Sequence, residues 1–354
     1  MMKVLLGNLV NIKTGKLDAN QADVNGKYPF FTCSKEISKI NSYSYDCECV
    51  LIAGNGDLNV KYYNGKFEAY QRTYILTSID NNTLSNKYLY WFMNRYIVQL
   101  RNQSIGGVIK YIKLGDLTNI SLNLPPLDIQ KRIVRIFESI ERLIDKKLFI
   151  LQFLNDLSKS RFVEMFGVFN INPNNYNTIK FRDLIEQNNI NEEDLVWLLN
   201  LDMIKPNTGE IVEKVYINRQ NIPTSGISFK KGTVLYSKLR PYLNKVVIAD
   251  ENGYGTSELI PLNSYKNGLT AEYLAYYLRQ DSFVEYIKDK VTGAKMPRVA
   301  MDVLRNIDII QPNYIYQEQF SGFVNHVNKL KSDVQKSIDE TQLLMDSLMQ
   351  EYFG

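Results

Sequence analysis

Gln130–Gly167 reads QKRIVRIFESIERLIDKKLFILQFLNDLSKSRFVEMFG, and Gln317–Gly354 reads QEQFSGFVNHVNKLKSDVQKSIDETQLLMDSLMQEYFG. The two 38-residue stretches align without a gap at an offset of 187 positions. Gln130 falls on Gln317, Leu143 on Leu330, Leu157 on Leu344, Ser160 on Ser347, Glu164 on Glu351 and Phe166-Gly167 on Phe353-Gly354. Each stretch closes on glycine, a helix-stop residue. A chain built as two similar halves suits a partner that also has two halves, and duplex DNA with a bipartite site is the leading candidate.

Both stretches predict one long helix. Pro125-Pro126 bars helix upstream of the first, and Asp128 is placed to cap it. Apolar side chains recur at spacings of three and four: Ile133, Ile136, Ile140, Leu143, Ile150, Leu154 and Leu157, with Lys147 interrupting the row. The second row is Phe320, Phe323, Val327, Leu330, Val334, Leu344 and Leu348. A narrow stripe on two helices of equal length predicts a coiled coil between them. The connection from Gly167 to Ile179 is short and Asn-rich. The second helix must therefore run back along the first, which makes the pair antiparallel.

The repeat extends beyond the helices. Lys3–Val10 resembles Ile179–Glu186, Val50-Leu51-Ile52 matches Val234-Leu235-Tyr236, and Tyr88–Phe92 matches Tyr273–Tyr277. Gly107 and Gly293 mark a matching segment near the end of each module. Strand-like runs (Lys61–Tyr63, Tyr74–Leu76, Val246–Ile248) alternate with turn dipeptides at Asn64-Gly65, Asn252-Gly253 and Asn267-Gly268. Helical spacing covers Asn86–Gln99 and Thr270–Asp289. The expected fold is α+β: two mixed α/β modules related by a pseudo-twofold axis and separated by a long antiparallel two-helix coiled coil. The boundaries are 1–127 and 168–313 for the modules, 128–167 and 314–354 for the helices.

Apolar residues make up 45% and charged residues 23% of the 354, a balance that suits globular domains. There is no apolar run of membrane-spanning length and no signal-peptide pattern, so a cytoplasmic protein without membrane attachment is expected. Three cysteines, Cys33, Cys47 and Cys49, fit a reducing compartment rather than a disulfide framework. The net charge of +4 permits nucleic-acid binding without demanding it.

LPPLDIQKRI at Leu124–Ile133 resembles the proline-rich lead-in to the spacer helix of type I restriction-modification specificity subunits. QPNYIYQ at Gln311–Gln317 is a second, more divergent copy, in which Asn313 replaces the second proline. GTVLYSKLRPYLNK at Gly232–Lys245 is similar to a core segment of the family's target recognition domains, and the first module carries the variant CVLIAGNGD at Cys49–Asp57. The resemblance covers essentially the whole chain. It implies two target recognition domains, each reading one half of an asymmetric bipartite DNA site. It implies that the helices set the spacing and dock two methyltransferase subunits, with restriction/translocase subunits joining the full complex. It further implies that this chain is not an enzyme and binds no cofactor, S-adenosylmethionine, ATP and Mg belonging to partner subunits. The alternatives are the recognition subunit of a type II nuclease–methyltransferase and a coiled-coil scaffold that binds proteins.

The chemistry missing from the sequence fits that implication. The lone Pro-Pro lacks the Asn/Asp and aromatic neighbours of an adenine methyltransferase loop, and no phosphate-binding P-loop is present. Cys47-Glu48-Cys49 has no second ligand pair for zinc. A single histidine, His326, weighs against chemistry that needs a histidine pair. The candidates for DNA contact are basic and polar residues, because Lys and Arg neutralise phosphates and polar side chains read base edges. In the second module they are Lys230, Lys231, Ser237, Lys238, Arg240, Tyr242, Lys245, Lys295 and Arg298. In the first they are Lys61, Arg72, Arg101, Lys110 and Lys113. The modules differ in these positions, so two unlike half-sites are expected.

Overall fold

The computed structural model describes residues 2–105, 110–172, 174–186, 190 and 195–354. Gly107 of the repeat comparison lies outside these residues. The chain divides into two compact units, one of Met1–Leu148 with Lys336–Gly354 and the other of Phe149–Gln335.

The first unit contains strands β1 (Met2–Leu5), β2 (Val10–Thr14), β3 (Tyr28–Phe31), β4 (Ser38–Ile40), β5 (Tyr45–Ala53), β6 (Val60–Ala69) and β7 (Thr73–Ser78). Helices α1 (Asn86–Gln103) and α2 (Leu114–Thr118), strand β8 (Ser121–Leu124) and the start of α3 (Leu127–Phe166) follow. Six strands form one sheet in the order β2-β7-β5-β6-β3-β4, and β1 pairs antiparallel with β8. Central strand β5 is buried on both faces, because alternate side chains of a strand point to opposite sides. Val50 and Ile52 enter the core shared with Leu89, Phe92 and Phe137, whereas Cys49 and Leu51 enter a smaller one with Phe31 and Phe67.

The second unit repeats the scheme with β9 (Asn177–Lys180), α4 (Phe181–Leu184), β10 (Leu195–Leu199), β11 (Val215–Asn218), β12 (Ile227–Phe229), β13 (Val234–Ser237), β14 (Val246–Ile248), β15 (Gly253–Gly255) and β16 (Leu259–Leu262). Then come α5 (Ala271–Arg279), α6 (Asp281–Lys288), β17 (Val291–Thr292), β18 (Arg298–Val299), α7 (Met301–Arg305), β19 (Asp308–Gln311) and α8 (Tyr314–Phe353). Here the sheet is split into β11-β10-β15-β12 and β14-β13-β16, and β19 pairs with β9 as β8 does with β1. Val234 and Tyr236 of β13 face the large core, while Leu235 faces the smaller one with Trp197 and Phe229. The matched triplets Val50–Ile52 and Val234–Tyr236 thus do the same work in both units.

Three local expectations are corrected. Asn64-Gly65 is not a turn: β6 runs straight through it, with Gly65 opposite Cys47 and Asn64 opposite Glu48. The helix expected over Thr270–Asp289 breaks at Gln280, whose side-chain oxygen accepts from the Phe169 N–H at 3.1 Å. Asp128 lies inside the first turn of α3 rather than capping it.

A buried glutamine fastens each long helix to its unit. Gln130 is fully buried: its side-chain oxygen accepts from the Ser85 N–H (2.9 Å), and its Nε2 donates to the carbonyls of Thr83 (2.8 Å) and Pro125 (2.9 Å). Gln317 is also fully buried; its oxygen accepts from the Thr270 N–H (2.9 Å), and its Nε2 donates to the carbonyls of Gly268 (3.2 Å) and Pro312 (2.8 Å). Ser85 and Thr270 are the N-caps of α1 and α5. Each glutamine therefore satisfies buried or partly buried main-chain groups at a helix start and a strand exit.

The two long helices pack antiparallel within each unit. In the first, Phe137 meets Phe353 (stacked, 5.8 Å), and ten residues further along α3 Lys147 meets Ser337 and Thr341. In the second, Phe162 and Phe166 meet Phe320, near the start of α8, at 5.2 and 5.7 Å. The expected direction is therefore present, but the seam differs in detail. Ile133, Ile140, Leu154, Phe320 and Val327 are buried, and Ile136, Phe323, Val334 and Leu348 are half-buried. Leu143, Ile150, Leu157, Leu330 and Leu344 are exposed instead. The seam of α3 continues through Phe137, Ile144, Lys147, Leu151 and Ser158, and that of α8 through Val324, Ile338, Thr341 and Met345. The apolar surface of α3 is wider than one seam, so leucine content alone selects the wrong stripe. The true stripe admits Lys147 and Ser158 because each finds a partner: Ser158 donates to the Leu154 carbonyl, and Lys147 Nζ donates to the Ser337 carbonyl (2.8 Å) and Thr341 Oγ1.

A polar side chain at a seam position fixes register at a cost in stability. Thr341 keeps its own bond to the Ser337 carbonyl (2.6 Å) if the lysine is removed. Lys147→Met is therefore expected to raise stability by about 1 kcal/mol, read as a higher denaturation midpoint. A drop of similar size would show that the lysine bonds outweigh its desolvation. No helix of the described residues is long and apolar enough to cross a membrane.

Candidate nucleic-acid interface

In both units the loop after the central strand is stitched to the segment that precedes the short helix α2 or α7. In the first unit the Gly56 N–H donates to the Lys110 carbonyl (2.9 Å), the Ile112 N–H donates to the Gly54 carbonyl (3.0 Å), and Asn55 bridges to Tyr111. In the second the Arg240 N–H donates to the Pro297 carbonyl (2.8 Å), the Val299 N–H donates to the Lys238 carbonyl (3.1 Å), and Leu239 bridges to Arg298. Lys110 and Pro297, and Tyr111 and Arg298, are related by the same 187-residue offset as the helices. The result is one two-loop platform built twice, carrying different side chains.

On the second platform Arg240, Tyr242 and Lys295 are exposed, and Lys238 is half-buried. Arg298 stands beside them but is engaged by Glu258, its Nε donating to Oε1 (3.0 Å) and Oε2 (3.1 Å) and its Nη2 to Oε1 (2.8 Å). Hydrogen bonding to Glu258 raises its already high pKa, which holds the charge on the arginine. Lys230 and Lys231 are exposed at the turn before β13. Two candidates face inward. Ser237 is buried and donates to the Leu239 carbonyl (2.9 Å), while Lys245 is half-buried with Nζ on the Leu201 carbonyl, and burial lowers its pKa. Both shape the loop rather than its outer surface.

On the first platform Lys110, Lys113 and Tyr111 are exposed, as is Arg72 on the turn between β6 and β7. Arg101 is occupied: Nη2 donates to the Leu58 carbonyl (2.6 Å) and lies 3.3 Å from Asp57. Lys35 first, and Arg101 after it, hold the Asp57 carboxyl below its ordinary range. Lys61 is half-buried, donates to the Ser34 carbonyl and Asn59 Oδ1, and is lowered in pKa by burial.

A further basic feature lies apart from these candidates. Lys13 and Lys16, with Tyr45 and Tyr74, line an open cleft of about 780 Å³ that reaches Leu114, next to Lys113. Its sequence signal is the Lys-x-x-Lys at the end of the sheet-edge strand β2. Among the described residues no group of His, Cys, Asp and Glu is arranged to hold a metal ion.

Residues 1–152 match the family described as type I restriction modification DNA specificity domain. The type I restriction enzyme EcoDI specificity subunit of Escherichia coli is 27% identical, an alignment covering 98% of this chain and 85% of that protein. The MjaIX specificity subunit of Methanocaldococcus jannaschii is 24% identical over 45% of this chain and 37% of its own length. Among solved structures, the type I restriction-modification S subunit from M. genitalium superimposes with a TM-score of 0.59 at 13% identity, covering 100% of this chain and 96% of that one. A chain from a structure described as underlying complex assembly and conformational transition of the type I R-M system gives 0.60 at 14% identity, covering 99% and 97%. The duplicated fold, a relative that aligns over nearly the whole chain and a family model over the first 152 residues all make this chain similar to the type I restriction-modification specificity subunits.

Proposed function

We propose that this chain is the DNA-reading, non-catalytic subunit of a cytoplasmic type I restriction-modification complex. Each two-loop platform contacts one half of a bipartite duplex site. The side chains differ at matched positions (Lys110 against Pro297, Tyr111 against Arg298), so the half-sites are unlike each other. That duplicated, differently dressed platform is the observation that carries the reading.

The long helices would carry two methyltransferase subunits. In the second unit α3 exposes Phe149 (68%), Ile150, Phe153 (57%) and Leu157 along one face, and in the first unit α8 exposes Leu343 and Leu344. Large apolar side chains clustered in this way mark protein interfaces. S-adenosylmethionine, ATP and Mg would be bound by the partner subunits, and translocating restriction subunits would join last.

The test is to map methylated adenines genome-wide with and without this chain. A bipartite motif with two different halves should appear only when the chain is present. The assembled complex should also bind duplex DNA with log K falling linearly against log salt. Methylation of DNA by the isolated chain, or salt-insensitive binding by the complex, would overturn the reading.

A further inference from the structure

Gly56 and Arg240 occupy the same place in the two platforms. Both follow the central strand by the same interval, and both donate their N–H to the facing segment. Both are left-handed, Gly56 at φ 72° and Arg240 at φ 47°. Glycine takes that conformation freely. In any L-residue the Cβ crowds the next carbonyl, and arginine has no short polar side chain to compensate locally. The second platform thus holds an arginine where the fold calls for glycine.

The strain is over-determined by its surroundings. The Arg240 N–H is held by the Pro297 carbonyl at 2.8 Å, its own carbonyl accepts from the Leu243 N–H at 2.9 Å, and Pro241 follows it. The side chain contributes none of this. It is exposed, and among the described residues no hydrogen bond or ion pair engages its guanidinium. Neighbouring Arg298 shows the contrast, because the Glu258 carboxylate accepts from both its Nε and its Nη2. Lys238 and Lys295 add positive charge to the same platform. Backbone strain that persists without a structural partner for the side chain points to function.

We propose that Arg240 grips a DNA phosphate for the second unit, and that its left-handed backbone is retained to fix the guanidinium on the sugar–phosphate backbone. Phosphate contacts position a reader without specifying bases. The inference rests on the DNA-reading function above and adds a residue and its contact to it.

Arg240→Gly and Arg240→Ala separate the side chain from the strain, since both lose the guanidinium but only glycine relaxes the backbone. Each is assembled with the methyltransferase subunits and titrated with duplex carrying the mapped site. Both should bind about tenfold more weakly, with the slope of log K against log salt reduced by roughly 0.9 and the methylated sequence unchanged. The glycine variant should melt roughly 2–4 °C above the alanine variant. Wild-type affinity and slope in the glycine variant, weakening confined to particular base sequences, or a glycine variant that melts no higher than the alanine variant would each overturn the proposal. Salt-insensitive binding by the wild-type complex would instead remove the reading on which it rests.

Discussion

Gln130→Ala is expected to destabilise the first unit by about 3 kcal/mol and to lower its unfolding midpoint by roughly 6–12 °C. The side chain makes three hydrogen bonds, all to main-chain groups: the Ser85 N–H and the carbonyls of Thr83 and Pro125. Truncation takes the partner from one buried and two partly buried main-chain groups, and a small void adds to the loss. Gln130→Glu should be no milder, because a carboxylate cannot donate to the two carbonyls. Gln317→Ala should do the same to the second unit through Thr270, Gly268 and Pro312. Hydrogen exchange gives the sharpest readout. Protection should fall at the start of α1 in the first variant and at the start of α5 in the second, with little crossover. A change no larger than that of a surface substitution, within about 0.5 kcal/mol, would mean that water replaces the glutamine without cost.

The second large effect concerns assembly. Phe149→Asp with Phe153→Asp should weaken binding of the methyltransferase subunit carried on that face by at least about a hundredfold, leaving complexes with a single such subunit, since two desolvated charges at an interface cost several kcal/mol. Both side chains are exposed, so the chain's own fold should be nearly unaffected. The repeat supplies an internal control. The matched positions on α8 are Lys336 and Glu340, both polar and exposed. Replacing these two with alanine should leave assembly intact. Normal assembly of the double aspartate variant would show that the partners dock elsewhere.

Much of this fold is legible in the sequence because it is written twice. The offset repeat, the prolines ahead of each long helix and the short connection after Gly167 suffice to predict two modules and an antiparallel pair. The seam is not legible at that level. Ile150 and Leu151, or Leu157 and Ser158, are adjacent on α3, and only packing decides that Leu151 and Ser158 face inward. Asn64-Gly65 misleads for a related reason: the long β5–β6 ladder overrides a dipeptide that would turn the chain in isolation. At the interface, composition identifies the basic segments but not which cations are neutralised internally. Asp57 and Glu258 reach Arg101 and Arg298 from 44 and 40 residues away in the chain, a separation that spacing cannot reveal. The left-handed turn at Arg240 is also invisible in sequence, because nothing about arginine announces it.

The two glutamines recognise only backbone atoms. Their grip is therefore indifferent to the identity of the side chains at Thr83, Ser85, Gly268 and Thr270, provided the loop path is kept. An attachment that ignores residue type is a universal coupling. Genetic exchange could replace a whole recognition half with an unrelated one, and the newcomer would still seat correctly. In such a molecule a recognition half would be interchangeable at its joints, with no need to redesign the scaffold.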